Sequence, residues 1–308
     1  IQEKLSMSLL VVGSVAFDAL QTPFGRTERT IGGAATYFSL AASLLAPVRL
    51  VAVVGDDFTA KDEAVLRGRN IDLAGLDRAA GKSFFWSGRY SDDLRSRETL
   101  VTELNVFAAF EPKLPEAYRD SRFVFLGNID PMLQRRVLEQ MRRRPALVAL
   151  DTMNYWIAGT PEELRKTLRL IDALLVNDEE ACQLAGEHNL LRAAKRIFSM
   201  GPKAVVIKRG EYGAMLFHRD AILAVPAYPL EKVYDPTGAG DSFAGGFMGY
   251  LAKHKKIDHS SLRRAMVYGS VLGSFAVEKL GVDRLRTLTR REVEARARAL
   301  VRMTSIRL

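Results

Sequence analysis

Short, almost uninterrupted apolar runs alternate along this chain with stretches whose apolar residues recur every three or four positions. Leu9 to Val12, Val48 to Val54, Phe123 to Leu126, Ala146 to Leu150, Ala173 to Val176 and Ala204 to Ile207 have strand length and little polar alternation. Strands that are apolar on both sides are buried on both faces, as in a parallel sheet covered by helices. Helical periodicity fills the gaps: Ala34 to Leu45, Ala60 to Gly68, Met132 to Arg143, Pro161 to Ile171, Glu179 to Ala185, Leu190 to Met200, Asp241 to His254, Ser260 to Phe275 and Arg291 to Arg302. This rhythm predicts an α/β fold with a mainly parallel central sheet and helices on both faces.

Two regions break the rhythm. From Lys82 to Phe107 the pattern becomes a true alternation, with Phe84, Trp86, Gly88 and Tyr90 on one arm and Thr99, Val101, Glu103 and Asn105 on the other. The polar Ser91-Asp92-Asp93 divides them, so a hairpin is expected. A second hairpin is expected around Ala19 to Thr30, turning at Pro23 and Gly25. No long linker, repeat or low-complexity tract separates these regions from the rest. The expectation is one domain over residues 1–308, with strands inserted at about 18–31 and 82–108.

Composition adds limits. An apolar fraction of 48% and a charged fraction of 26% suit a globular protein with a substantial core. No segment approaches the ~18 uninterrupted apolar residues of a membrane span. Ser8 to Val15 leads into a glycine turn without a basic flank or cleavage site, and reads as a first strand rather than a signal peptide. Met7 reads as the natural start, with Ile1 to Ser6 as an added segment. The single cysteine, Cys182, excludes an internal disulfide framework and fits the cytoplasm. A net charge of +9 raises a nucleic-acid reading. However, the arginines at Arg135-Arg136, Arg142 to Arg144, Arg263-Arg264 and Arg290 to Arg302 are mostly interleaved with Glu and Leu on helical faces, and no nucleic-acid module emerges. A positive field of this size instead helps to collect an anionic substrate.

The chemistry concentrates in Asp235-Pro236-Thr237-Gly238-Ala239-Gly240-Asp241-Ser242-Phe243. A glycine-rich turn that opens a helix presents bare N–H groups at the positive end of the helix dipole, a site for phosphate. Asp241 in the same turn would repel a phosphate unless it serves to take a proton from the attacking group. The alternative is a helix cap, which accounts for one aspartate and one glycine but not for the whole string. The string resembles the C-terminal signature of the ribokinase-like, PfkB-type carbohydrate and nucleoside kinases.

That resemblance implies a ribokinase-like three-layer α/β/α domain with a small β-strand lid over the acceptor, formed by the two hairpins. It implies ATP and Mg²⁺ as cofactors. Asp241 is then the catalytic base, and Gly238, Ala239 and Gly240 form the anion cradle with Thr237. Asp18, just past the first strand, and Gly32-Gly33 at the next helix are the implied acceptor contacts. The family usually runs Gly-Gly-x-x-x-Asn, whereas Tyr37 stands at the asparagine position here; packing in the core is its other reading. Asn177 and Glu180 match Asn-x-x-Glu, which organises Mg²⁺ and phosphate largely through water; the same spacing is also a capping box. Lys208, Gly210 and Gly213 resemble a nucleotide-side turn, with a plain hairpin turn before the strand-like Ala214 to Phe217 as the other reading; Ala276, Val277 and Gly281 lie where the family builds its adenine pocket, with core packing as the other reading. Asp235 is a candidate contributor to a monovalent cation site such as K⁺. Asp151-Thr152-Met153-Asn154 resembles a segment near the phosphate path but is assigned no catalytic part.

Some absences narrow the field. No Gly-x-x-x-x-Gly-Lys-Ser/Thr loop, no early dinucleotide fingerprint and no protein-kinase motif is present. His188, His218, His254 and His259 have neither metal spacing nor a nucleophile partner. The missing early fingerprint weighs against one rival, an oxidoreductase on a doubly wound sheet, and an intact Asp241 weighs against another, a non-catalytic nucleotide or nucleic-acid binding protein. The reading is an ATP-dependent kinase acting on a hydroxyl of a sugar or sugar-like molecule, with an adenosine-type nucleoside kinase as the alternative. No nucleic-acid or membrane partner is expected, and the lid could pair two copies as a homodimer.

Overall fold

The computed structural model describes residues 9–218 and 221–304; the expected start at Met7 lies outside them. β1 (Leu9–Val12) is followed by β2 (Ala16–Thr22), β3 (Gly25–Gly32), α1 (Ala34–Ala42), β4 (Val48–Val54), α2 (Ala60–Arg67), β5 (Ile71–Arg78), β6 (Phe84–Tyr90) and β7 (Arg97–Glu103). Next come β8 (Phe123–Leu126), α3 (Pro131–Glu139), β9 (Leu147–Asp151), α4 (Asn154–Gly159), α5 (Pro161–Leu168), β10 (Ala173–Asn177), α6 (Asp178–Ala185), α7 (Leu190–Phe198) and β11 (Ala204–Lys208). β12 (Ala214–His218), β13 (Ala221–Val225), α8 (Ala239–His254), α9 (His259–Ala276) and α10 (Arg290–Thr304) complete the order.

Nine strands form one sheet in the order β13-β12-β11-β10-β9-β8-β1-β4-β5. Pairing is parallel from β11 to β5, while β12 and β13 join antiparallel at one edge. Successive side chains on a strand point to opposite faces, and here each face meets a core. Leu9 and Val11 pack with Phe38, Phe247 and Leu272 of α1, α8 and α9. Leu10 and Val12 pack with Val137, Leu164, Ala181 and Ile197 of α3, α5, α6 and α7. Two cores on two faces make the three-layer α/β/α architecture. In α8, a Cβ at Gly245 would collide with the Phe38 carbonyl, and one at Gly246 with the Tyr268 carbonyl. The bare glycine face is therefore what lets α8 sit against both α1 and α9.

The expected hairpins both form. What the pattern did not indicate is that they join: β2 pairs parallel with β6, giving a four-stranded sheet β3-β2-β6-β7. Three elements were not expected. β5 and β13 are edge strands with mixed exposure, so their residues lack the double-sided apolar run. α4 has only six residues, too few for periodicity to register. The helix expected to reach Arg143 ends at Glu139, because the arginines beyond it turn into tertiary pairs: Arg142 with Asp120 (2.8 Å) and Glu116, Arg144 with Asp172 (2.9 Å).

Candidate active site

Parallel strands end on the same edge of the sheet, and ligands of open α/β sheets bind beyond those carboxyl ends. Here that edge collects Asp151 as the last residue of β9, Asn177 of β10 and Lys208 of β11. The cross-strand register sets Leu175 beside Asp151 and Asn177 beside Lys208. Asp18, on β2 beyond β1, is 4% exposed, and its carboxylate fills the space where a Cβ at Gly32 would stand. The Gly33 N–H bonds to that carboxylate, and Gly33 itself caps α1 at φ 89°. The two glycines thus hold an aspartate in place.

The signature loop is built by hydrogen bonds to Asp235, which is fully buried. One of its oxygens accepts the Thr237 N–H (2.9 Å) and the other the Gly281 N–H (2.8 Å). Gly238 takes the left-handed conformation at φ 71°, and a Cβ there would overlap the Tyr37 ring. Tyr37 is therefore the floor of the loop. Its own hydroxyl is buried with no hydrogen-bond partner among the described residues. From Gly238 the chain enters α8, whose first turn carries Asp241. The Ala239 N–H is bonded to the Pro236 carbonyl at 3.2 Å, so of the three amides expected to face an anion, this one is already engaged.

Charge is crowded at this end of the sheet. Lys208 Nζ lies 3.2 Å from Asp151 Oδ2 and 3.1 Å from the position a Cβ of Gly240 would take. Burial, then the neighbouring Asp151, pushes the Asp241 carboxyl up to about 6. Burial, then Asp151, likewise raises Glu180 to about 7, and burial with Asp235 and Asp241 raises Asp18 to about 7. Burial works against the Lys208 ammonium, yet Asp151, Glu180 and Asp241 hold its pKa above the usual lysine value. Several carboxylates shifted upward around one buried cation is the arrangement expected where charge is to be moved.

The small sheet closes over this edge. Cross-strand neighbours share a face, and the register pairs Asp18 with Trp86. Phe84, Trp86, Gly88 and Tyr90 therefore line the same underside as Asp18. Tyr90 Oη and Thr237 Oγ1 are 2.9 Å apart, which ties β6 to the signature loop. Opposite Tyr90 stands Arg97, whose guanidinium lies over the Trp86 ring (5.0 Å) and pulls the Asp18 and Asp241 carboxyls downward.

A carboxylate of raised pKa, a glycine loop on a helix N-terminus and a β-sheet cover now stand in one place, and over residues 7–287 the chain matches the pfkB family carbohydrate kinases. The chain belongs to the pfkB family. A cytidine kinase of Thermococcus kodakarensis is 29% identical over 257 residues, covering 82% of this chain and 91% of that protein. A nucleoside kinase of Methanocaldococcus jannaschii, a member of the ribokinase family, superposes with a TM-score of 0.76 at 20% identity, covering 95% and 98% of the two chains. The ribokinase of Arabidopsis thaliana complexed with ribose and ATP gives 0.76 at 20% identity, covering 94% and 98%. The two solved structures establish the ribokinase fold.

Membership in a kinase family implies ATP and Mg²⁺. The residues present fit that pair. Asn177 and Glu180 form a full capping box, Asn177 Oδ1 accepting the Glu180 N–H (2.7 Å) and Glu180 Oε2 accepting the Asn177 N–H (2.8 Å). The second oxygen of Glu180 remains for a hydrated cation. Among the described residues no three His, Cys, Asp or Glu side chains are arranged to hold a metal, as suits an ion that keeps its waters and rides on nucleotide phosphates. Gly210, at φ 53°, has open space where a Cβ would point. Ala276 is fully buried in the core, and Gly281 faces Thr30 of β3.

Sequence reasoning gave no part to three side chains at or over this edge of the sheet: Arg97, Asn128 and Asp151. Asn128 follows β8 and is held by Trp156 Nε1 (3.0 Å) and Met153 Sδ (3.0 Å). The register shift beside Ser87 and Gly88, which no pattern in the sequence marks, is what sets Arg97 opposite Tyr90. No sequence signal marks Asn128. Among the described residues no helix is long and apolar enough to cross a membrane.

Proposed function

We propose that this kinase transfers the γ-phosphoryl group of Mg-ATP to a ribose hydroxyl of a nucleoside. The observation that carries the choice is the underside of the small sheet: Asp18 stands in register with Trp86 and shares its face with Phe84 and Tyr90. A carboxylate accepts hydrogen bonds from vicinal hydroxyls, while flat aromatic faces stack on a base. The similar cytidine and nucleoside kinases act in the same sense. A free sugar is the second reading, since Asp18 suits any vicinal diol.

In the proposed step, Asp241 takes the proton of the acceptor hydroxyl as its oxygen attacks the γ-phosphorus in line, and the bond to the ADP oxygen breaks. The amide at Gly240 and the Lys208 ammonium face the phosphoryl path and stabilise its charge. Glu180 would hold Mg²⁺ through water, and the ion would there supply further charge neutralisation on the phosphates. The cover formed by β6 and β7 keeps water out and limits loss of ATP to hydrolysis. A monovalent cation near Asp235 belongs to the same reading; equal rates in potassium and in choline would remove it. A second copy pairing along β7, an edge strand exposed throughout, belongs to it as well.

The test is ADP release from Mg-ATP against a panel of nucleosides and sugars, with Asp241→Asn beside the parent. Turnover with a nucleoside, reduced on the order of 10²- to 10⁴-fold in the variant, is expected. Turnover with free sugars alone would select the second reading. Equal rates in parent and variant would overturn Asp241 as the base.

A further inference from the structure

Asp151 is 5% exposed, its carboxylate held by two contacts and its backbone by another. Oδ1 accepts the Thr152 N–H (3.0 Å), Oδ2 meets Lys208 Nζ (3.2 Å), and Gln134 Nε2 donates to the Asp151 carbonyl (3.1 Å) and to that of Gly127 (2.9 Å). Lys208 Nζ in turn lies against Gly240, directly under the start of α8. A buried ion pair is a poor stabilising device, because stripping two charges of water offsets most of their attraction. Its retention needs another reason, and the neighbourhood gives one. A lysine ammonium sits on a flexible four-carbon stem and turns to whichever carboxylate is nearest. The other carboxylates close enough to act on Lys208 are Glu180 and Asp241. Released from Asp151, the ammonium would pair with the proposed base and neutralise it.

We propose that Asp151 is a positioning residue: it anchors the Lys208 ammonium beneath Gly240, on the phosphoryl path and away from Asp241. This inference rests on the kinase reading of the site. It places Asp151 in the reaction without contact to either substrate, since its effect passes entirely through Lys208.

A double-mutant cycle on Asp151 and Lys208, with the acceptor identified above, tests it. Asp151→Asn is expected to lower kcat about 10- to 100-fold, the range of a misplaced charge on a transferring group, and to leave the acceptor KM within about threefold. Lys208→Met is expected to lower kcat at least as far. The double variant is expected to be no slower than Lys208→Met alone, because Asp151 has nothing left to hold. It also removes both buried charges at once, so it folds even where Asp151→Asn alone does not. Asp151→Asn with the parental kcat overturns the proposal, as does a double variant whose loss is the product of the two single losses. A parent that phosphorylates nothing overturns the kinase reading, and the inference falls with it; an active parent with an indifferent Asp151→Asn overturns the inference alone.

Discussion

At the residue scale, the carboxylate of Asp241 is buried beside Asp151, and together these push its pKa up to about 6. A base works in its ionised form, so kcat/KM, which follows the ligand-free enzyme, is expected to climb with pH below about 6 and to level off above it, as a rate profile between pH 4.5 and 8 would show. The same shift has the opposite sense for stability. A carboxyl whose folded pKa lies above its unfolded value contributes stability below the unfolded value, and that contribution is lost as the pH rises through the folded one. Asp241→Asn is therefore expected to stabilise the ligand-free protein at pH 8, by on the order of 1–3 kcal/mol. The gain should shrink as the pH is lowered toward 4. Thermal melts of parent and variant at both ends of that range decide it; an unchanged Tm at pH 8 would mean that the buried charge costs nothing.

At the element scale, β6 matters because it reaches the signature loop. The contact between Tyr90 and Thr237 at 2.9 Å is a hydrogen bond between the small sheet and the turn that opens α8. A second contact, Arg95 with Glu211 at 3.2 Å, is exposed and contributes little. Tyr90→Phe keeps the ring and removes the hydroxyl, at a loss of about 0.5–1.5 kcal/mol of closure. Acceptor-free ADP release should then rise several-fold relative to acceptor phosphorylation, because water enters a looser site. A ratio equal to that of the parent would show that the hydroxyl does not hold the cover closed. Elsewhere β6 does what its alternation requires, with Phe84 stacked on Phe107 at 5.4 Å.

At the scale of the whole molecule, part of the basic charge is paired internally. Arg135 pairs with Glu163, and Arg284 and Arg296 both pair with Glu278. None of these pairs joins neighbours on one helical face, so the interleaving of Glu and Arg along the helices did not foretell them. The free edge of β7 is the feature that could reach beyond one chain: Leu100, Val101 and the adjoining Leu104 are 41%, 39% and 46% exposed. Unpaired strand edges with apolar side chains invite pairing with another edge. Sedimentation velocity should give twice the 34.2 kDa of one chain, and Val101→Lys should return it to the monomer. A monomer at every concentration would remove the pairing along β7.

The α/β alternation, the parallel sheet and the glycine turn that opens α8 with its aspartate were legible in the sequence. Each rests on local patterning: strands apolar on both faces, helical periodicity, and glycines beside an acid at a helix start. Asp18, Asn177, Lys208 and Asp241 were named chiefly through the family resemblance; their places after strands or at a helix start, where parallel sheets place their ligands, agreed with it. Tertiary structure alone decided the rest, since those facts depend on pairings between distant segments. The two hairpins became one sheet only through the parallel register of β2 with β6, which is also what put Trp86 beside Asp18. Asp151 and Lys208 meet because β9 and β11 flank β10, 57 residues apart in sequence and 3.2 Å apart in space. Tyr37 became the floor of the loop because α1 and α8 are packed together through glycines. A chain pattern records which face of an element is apolar, but not which other element will cover it.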